Sequence, residues 1–442
     1  MSTNRRNFIK NSVTAAAGIG MVPSVAGSVL TYPANRNPSD KVVLALIGAR
    51  NMGWGDLSDL LKQPNVECKT LCDVDDAVLE QKAKGLVDEG HPKPLLERDY
   101  RKVLEDKDID AVVIGTPDHW HCLITVEACE AGKHVYVEKP LANSIAEINV
   151  MLDAARKYRR LVQVGQQQRS GDHWKSAIEF VRSGKLGTIR QVKFWANFNY
   201  GAGNMPVPDG EPPEGVDYER WLGPAPERPF NQNRFHGSWR MFRDYGGGLM
   251  TDWGVHLIDM GLWAMNVKTG PKSVSSMGGN FANRDRALEM PDTLTVLYEM
   301  DGFNMIWEHN GGIQLGPYDQ LYGVKFIGTN GTLVADRERW KVLPEWEEGA
   351  YRMEAPEEQP SDNKSHLNHC ANFIHAIRTG EALAAEIGIG HLSALYAHLG
   401  NISHWADQRI IYDEETRRIT NSEKADSLIT PAYRSPWVFP SV

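Results

Sequence analysis

A doubly wound parallel sheet followed by an open, mostly antiparallel sheet, α/β and then α+β, is the fold class this sequence predicts. Three observations lead there. Up to residue 165, continuous apolar runs that end in glycine or a charged turn alternate with helical stretches. From residue 166 onward, strands with in–out alternation recur without regular helices between them. The chain's 442 residues also exceed what one ordinary core holds.

The first run, VVLALIG (42–48), suits a strand covered on both faces. It leads into Gly48-Ala49-Arg50-Asn51-Met52-Gly53, and from Trp54 the pattern is helical. A dinucleotide fingerprint asks for glycine at its first, third and sixth places: for the tight turn, the pyrophosphate approach and the helix packing. Gly48 and Gly53 supply the first and sixth, and Arg50 stands in the third, where a guanidinium can meet a phosphate. The strand VECKTLCDVD reaches Asp73, placed to accept hydrogen bonds from a ribose and to repel a 2′-phosphate. That favours NAD, while Arg50 leaves NADP open. AVVIG (111–115) runs into Thr116-Pro117 and a helix closed by Gly132. HVYV then delivers Glu138-Lys139-Pro140 to a strand end, the place where parallel sheets bind ligands. Ser144 and Glu147 make a capping box for a helix to about Arg159, and LVQVG (161–165) follows. Strands at 42–48, 66–73, 110–115, 134–138 and 161–165 make a Rossmann-type domain, assigned to residues 34–165.

The second domain, residues 166–442, is read from TIRQVKFWANFN, SVSSMGGNF, TLTVLYEM, FNMIWEHNG, LYGVKFIG and GTLVAD. Its long Pro/Gly-rich stretch (205–230) has the length of a functional lid or arm, or of a disordered segment. Trp239 and Arg240 just beyond it suit sugar stacking and hydrogen bonding as well as packing. In GGGLMTDWGVHLIDM, Asp252, His256 and Asp259 fall at i, i+4 and i+7, on one face of a largely apolar helix. Buried charges there need partners, so they form either a satisfied network or a site; an Asp beside a His can orient the imidazole.

A net charge of −9 argues against nucleic acid or an anionic membrane as partner and is compatible with a small neutral molecule. The five cysteines lack metal-ligand spacing, so buried free thiols are expected and no metal site. Asn4-Arg5-Arg6-Asn7-Phe8-Ile9-Lys10, a short apolar run and small residues near Ala26 lay out a cleavable, twin-arginine-like export signal over 1–33, without stable membrane insertion.

TPDHWH, AGKHVYVEKP, the Asp252-x-x-x-His256 segment and NFIHAIRTG together resemble the Gfo/Idh/MocA oxidoreductases, from about Val42 to Trp405. The export signal is similar to that of the periplasmic glucose–fructose oxidoreductase of that family, and inositol dehydrogenases are also similar. The resemblance implies a periplasmic, NAD-dependent (NADP possible) dehydrogenase of a sugar, glycoside or cyclitol hydroxyl. It also implies tightly held cofactor and homo-oligomerisation through the C-terminal sheet. It maps catalysis onto Lys139, Asp252 and His256, and cofactor contact onto Gly48, Arg50, Asn51, Met52, Gly53, Asp73, Thr116, Pro117, His121, Glu138 and Lys139. In this reading His256 is the base, Asp252 orients it or binds the hydroxyl, and Lys139 stabilises the alkoxide. Arg169, Trp239, Arg240 and Trp253 are the substrate-pocket candidates. One alternative is a glycosidase or lyase working through a transient 3-keto sugar on bound NAD. Family members of that type, the NAD-dependent α-N-acetylgalactosaminidases, carry Val where this chain has Lys139. A non-catalytic sugar-binding protein is the third reading, and it leaves a proton-transfer set without a purpose.

Overall fold

The computed structural model describes residues 40–442; the export signal expected over 1–33 lies outside the described residues. Six strands form the first sheet: β1 (Val42–Ile47), β2 (Val66–Cys72), β3 (Leu95–Glu97), β4 (Ala111–Ile114), β5 (His134–Val137) and β6 (Val162–Val164). Their order is β3-β2-β1-β4-β5-β6, and every pair is parallel. This is a Rossmann sheet, whose strand order reverses between β1 and β4, so the crevice outside their carboxyl ends is the place for a ligand. The first five connections hold α1 (Asn51–Leu61), α2 (Asp76–Asp88), α3 (Tyr100–Glu105), α4 (Asp118–Glu130) and α5 (Ile145–Tyr158). The expected capping box is present: Ser144 Oγ accepts from Glu147 N at 3.3 Å, while Glu147 accepts from Ser144 Oγ and from Asn143 N. The sequence pattern missed β3, a three-residue edge strand whose two leucines are exposed.

After α6 (Asp172–Arg182) comes β7 (Gln191–Ala196), then α7 (Tyr218–Leu222), α8 (Gly248–Asp252) and α9 (Gly254–Ala264). The strands β8 (Ser273–Gly279), β9 (Thr293–Glu299), β10 (Asn304–Asn310), β11 (Tyr322–Ile327), β12 (Gly331–Ala335) and β13 (Arg339–Pro344) follow. A small hairpin, β14 (Trp346–Glu347) with β15 (Ala350–Tyr351), and the edge strand β16 (Gln359–Pro360) complete the set that leads to the C-terminal helices. The large sheet is ordered β16-β13-β12-β11-β7-β10-β9-β8 and is antiparallel except where β7 and β10 run parallel, Phe194 beside Trp307. Leu294, Val296 and Tyr298 of β9 point into the core, while Leu297 and, on β8, Met277 stand exposed on the other face. That in–out alternation marks a sheet with one covered face. Among the described residues no helix is long and apolar enough to cross a membrane.

The C-terminal helices α10 (Ser365–Thr379) and α11 (Ile387–Ala406) return towards the first sheet. Phe373 and Ile374 of α10 are buried in the same cluster as Leu57 and Leu60 of α1, each such side chain worth ~1.5–3 kcal/mol of burial. His369 holds α10 to the β6 edge through Val164 O at 2.9 Å. All five cysteines are free and buried.

Between α1 and α10, the His366 ring reaches Asp56 Oδ1 and Asp59 Oδ2, both at 2.7 Å. Burial pulls its pKa down, but the two carboxylates outweigh this and raise it to about 9. A raised histidine contributes stability that is full below its unfolded value near 6.5 and is lost as pH rises through about 9. His366→Asn is therefore expected to cost on the order of 2–3 kcal/mol below pH 6.5, less than a fully buried pair because the ring is partly exposed. Denaturant unfolding at several pH values should show that deficit shrinking towards pH 10; a pH-independent deficit would rule out the charged pairing.

Candidate active site

The crevice begins where three backbones meet. Gly48 closes β1 with φ +87°, a conformation glycine adopts freely, and a Cβ there would lie 2.6 Å from Thr116 N. A Cβ on Gly53 would lie 2.3 Å from Gly48 O, and one on Gly115 would lie 2.4 Å from Gly53 Cα. Glycine at all three lets the end of β1, the start of α1 and the end of β4 touch. Arg50, at the third fingerprint place, is the N-cap of α1 in extended conformation, and its side chain caps nothing. The first-turn amides of α1 therefore face the crevice without a side-chain acceptor, the usual setting for a phosphate. Asp73 accepts from Ala49 N at 2.7 Å and from Asp75 N at 3.2 Å, so the carboxylate meant for a ribose also braces the glycine loop. Burial pushes its carboxyl upward.

Gly48, Arg50, Asn51, Met52, Asp73, Thr116, Pro117, Glu138 and Lys139 all line one groove of about 1090 Å³, part of it open to solvent. Its glycine cradle, the amide-rich helix start and the buried, unpartnered Thr116 Oγ1 fit a dinucleotide. Burial drives the Glu138 carboxyl up to about 8, and pushes Asp118 well above the carboxylate range. Burial thus biases both acids towards their uncharged forms beside the groove.

At the β5 end the two sheets' contributions meet. Lys139 Nζ donates to Asp252 Oδ1 at 2.6 Å and to Asp252 O at 2.9 Å. Asp252 also accepts from Tyr200 Oη at 2.7 Å and from Arg240 Nε at 3.2 Å. Burial raises its carboxyl, but the charges of Lys139 and Arg240 prevail and hold it far below the ordinary carboxylate range. His256 lies buried in the first turn of α9, with Nδ1 lacking any protein partner. Burial, reinforced by the nearby Arg337 and Lys139 charges, keeps its pKa well below 6.5. The corner thus combines a fixed cation, an ionised acid and a neutral imidazole.

Two family models account for most of the chain: "Oxidoreductase family, NAD-binding Rossmann fold" over residues 42–166 and "Oxidoreductase family, C-terminal alpha/beta domain" over 181–439. The chain belongs to the Gfo/Idh/MocA oxidoreductase family. An uncharacterized oxidoreductase, YrbE of Bacillus subtilis (strain 168), is 27% identical over 300 residues, 68% of this chain and 75% of that protein. A glycosyl hydrolase family 109 protein of Shewanella pealeana is 29% identical over 204 residues, 43% of this chain and 45% of that one. Levoglucosan dehydrogenase in complex with NADH and levoglucosan has the same fold (TM-score 0.64, 18% identity, covering 84% of this chain and 99% of that one). So does the aldose–aldose oxidoreductase of Caulobacter crescentus (TM-score 0.64, 17% identity, 84% and 99%).

Within this Gfo/Idh/MocA chain several expected roles change. Asp252 and His256 do not share a continuous helix: the backbone breaks at Trp253 (φ −107°, ψ −30°) between α8 and α9. Asp252 is taken by Lys139, Arg240 and Tyr200 instead of orienting the imidazole through a hydrogen bond. Asp259 pairs with Arg169 through two contacts of 2.7 Å, which places Arg169 in a largely buried ion pair outside the cofactor groove's lining. His121 is absent from the groove wall: its ring nitrogens face Pro140 O at 2.8 Å and Thr116 O at 2.9 Å, and since burial lowers its pKa to about 4, the neutral ring donates to one of these carbonyls. Trp253 packs against Phe198 and Tyr322, with ring centroids 4.4 Å away from each. Trp239 and Arg240 do line the groove.

Tyr200, Arg337 and Gly115 were not singled out as site residues. The first two directly follow the strand runs TIRQVKFWANFN and GTLVAD with no chemical motif around them, and only Gly115, closing a buried strand before Thr116-Pro117, carried a usable signal. Gly115→Ala is expected to destabilise the fold by about 1–3 kcal/mol through overpacking and to weaken NAD binding roughly tenfold or more. Thermal melts and NAD fluorescence titrations measure both; native affinity in the variant would show that the glycine contact is dispensable.

Proposed function

We propose that this oxidoreductase transfers hydride between NAD and a secondary hydroxyl of a sugar, glycoside or cyclitol. The observation that carries the reading is Lys139 in the wall of the cofactor groove, donating to Asp252, with neutral His256 buried in the first turn of α9. NAD, when bound, supplies the hydride acceptor at its nicotinamide ring. Lys139 has three N–H groups and spends two on Asp252, leaving one for the reacting oxygen. A fixed cation there stabilises the negative charge that develops as the hydroxyl proton leaves. Asp252 remains ionised and holds Lys139 and Arg240 in position. His256 receives the proton on its ring. Because its pKa is depressed, it stays unprotonated, and competent as a base, to lower pH than an ordinary histidine. The named structural neighbours that bind levoglucosan and glycerol support a polyol substrate, as do Trp239 and Arg240 in the groove wall.

A second reading, redox-neutral glycoside cleavage on retained NAD, draws on the match to glycosyl hydrolase family 109 proteins, of whose length the chain covers under half. Aglycone release without net NADH formation distinguishes it from dehydrogenation. We also propose export through the twin-arginine-like leader, with cofactor already held, and self-association through the bare face around Met277 and Leu297. Cell fractionation and light scattering test these two points; a cytoplasmic monomer would contradict both.

His256→Asn is expected to lower kcat by about 10²–10⁴-fold and to abolish the acid limb of kcat/KM, which in the native protein lies below pH 6.5. An unaltered acid limb would remove His256 from the role of base. Lys139→Ala should cost about 10²–10³ in kcat, read from NADH formation across a panel of sugars and glycosides. Native turnover in that variant would reject its role at the reacting oxygen.

A further inference from the structure

The groove wall also includes residues that are not assigned to the cofactor by the fingerprint. Beyond Asp73 it is lined by Val74, Asp99, Tyr100, Trp120 and, from the last residues of the chain, Trp437. The Trp437 ring meets Trp120 edge to face at 4.9 Å, and Trp120 meets Tyr100 in the same way at 5.6 Å. The Arg101 guanidinium covers Trp437 at 4.6 Å.

The tail that brings Trp437 there is fastened along its length. Tyr433 Oη donates to the buried Glu147 at 2.7 Å. Arg434 donates to Glu219 Oε1, Gly223 O and Ala225 O at 2.6, 3.0 and 3.2 Å, and its backbone N–H bonds Pro224 O. Those acceptors belong to α7 and the turn after it, within the long Pro/Gly-rich segment and its continuation. That segment is itself tied to the nucleotide half, through Asp217 N to Val74 O at 2.8 Å and Trp120 Nε1 to Trp221 O at 3.0 Å. A dinucleotide with its pyrophosphate at α1 and its adenosine ribose at Asp73 has its adenine directed to this end of the crevice.

We infer that Trp437 completes the adenine-end wall of the NAD site, and that residues 433–437 form a strap, locked by Arg434, that slows nucleotide release. The inference deepens the proposed retention of cofactor and rests on it. Stacking of one base on an aromatic side chain is worth ~1–3 kcal/mol, enough for roughly a five- to 150-fold effect.

Full-length native protein, Trp437→Ala, Trp437→Phe and Arg434→Ala provide the test. The rate of NADH release into excess NAD is followed by fluorescence, and nucleotide remaining after prolonged dialysis is measured in denatured samples. Trp437→Ala and Arg434→Ala are expected to release NADH at least fivefold faster, with Trp437→Phe close to native. ADP, which carries only the adenosine end, should lose affinity in Trp437→Ala by a similar factor, while nicotinamide mononucleotide should not. Equal release rates in all four proteins would overturn the strap. Equal losses for ADP and nicotinamide mononucleotide would also overturn it, by showing general loosening. Rapid release from the native protein itself would refute cofactor retention, a result separable from the variant comparison.

Discussion

The Lys139–Asp252 pair is the constraint on which the rest of the site depends. Each side chain is only 11% exposed, so each charge has given up most of its water and must be repaid by its neighbours. Lys139 follows the end of a strand in the first sheet, and Asp252 is the last residue of a short helix between the first two strands, in chain order, of the second sheet. Removing Asp252 takes from Lys139 its carboxylate partner, and removing Lys139 leaves Asp252 with Arg240 and Tyr200, so the pair fixes how the β5 end faces α8. Tyr200 and Arg240 take further lone pairs of Asp252, whose carboxylate makes no hydrogen bond to His256.

Around that pair the protein divides its polar groups by charge state. Glu138 and Asp118 are pushed towards neutrality by burial, Asp252 is held ionised by two cations, and His256 is held neutral by burial and by Arg337 and Lys139. Titratable groups whose environments drive them apart in this way are what acid–base chemistry near neutral pH requires. At the far end of the same groove the structure turns aromatic, with Trp120 and Trp437 closing a wall contributed by sequence segments more than three hundred residues apart.

Much of this was legible from residues alone wherever chemistry is local. Gly48 and Gly53 announce a turn and a close helix approach, Asp73 a strand-end acid, and Ser144 with Glu147 a helix start, because each depends on backbone geometry within a few residues. The Pro/Gly-rich stretch was readable as a lid or as disorder; its structure is decided by Trp221, Phe230, Phe235 and Trp239 packing into a small core of their own. The i, i+4 spacing of Asp252 and His256 misled, since spacing presumes an unbroken helix. The break falls at Trp253, whose ring is engaged with Phe198 and Tyr322.

The sequence by itself determined the Rossmann half, the one-faced second sheet and the fingerprint, since periodicity and local turn chemistry are properties of neighbouring residues; the Lys-Asp-His set was carried by the family resemblance alone. The partners of those groups were decided only by the tertiary structure. Arg169 belongs to Asp259, His121 to a backbone carbonyl, and Asp252 to Lys139, because a buried polar group is satisfied by whatever the fold brings within hydrogen-bonding distance. That proximity is long-range, and no spacing along the chain encodes it.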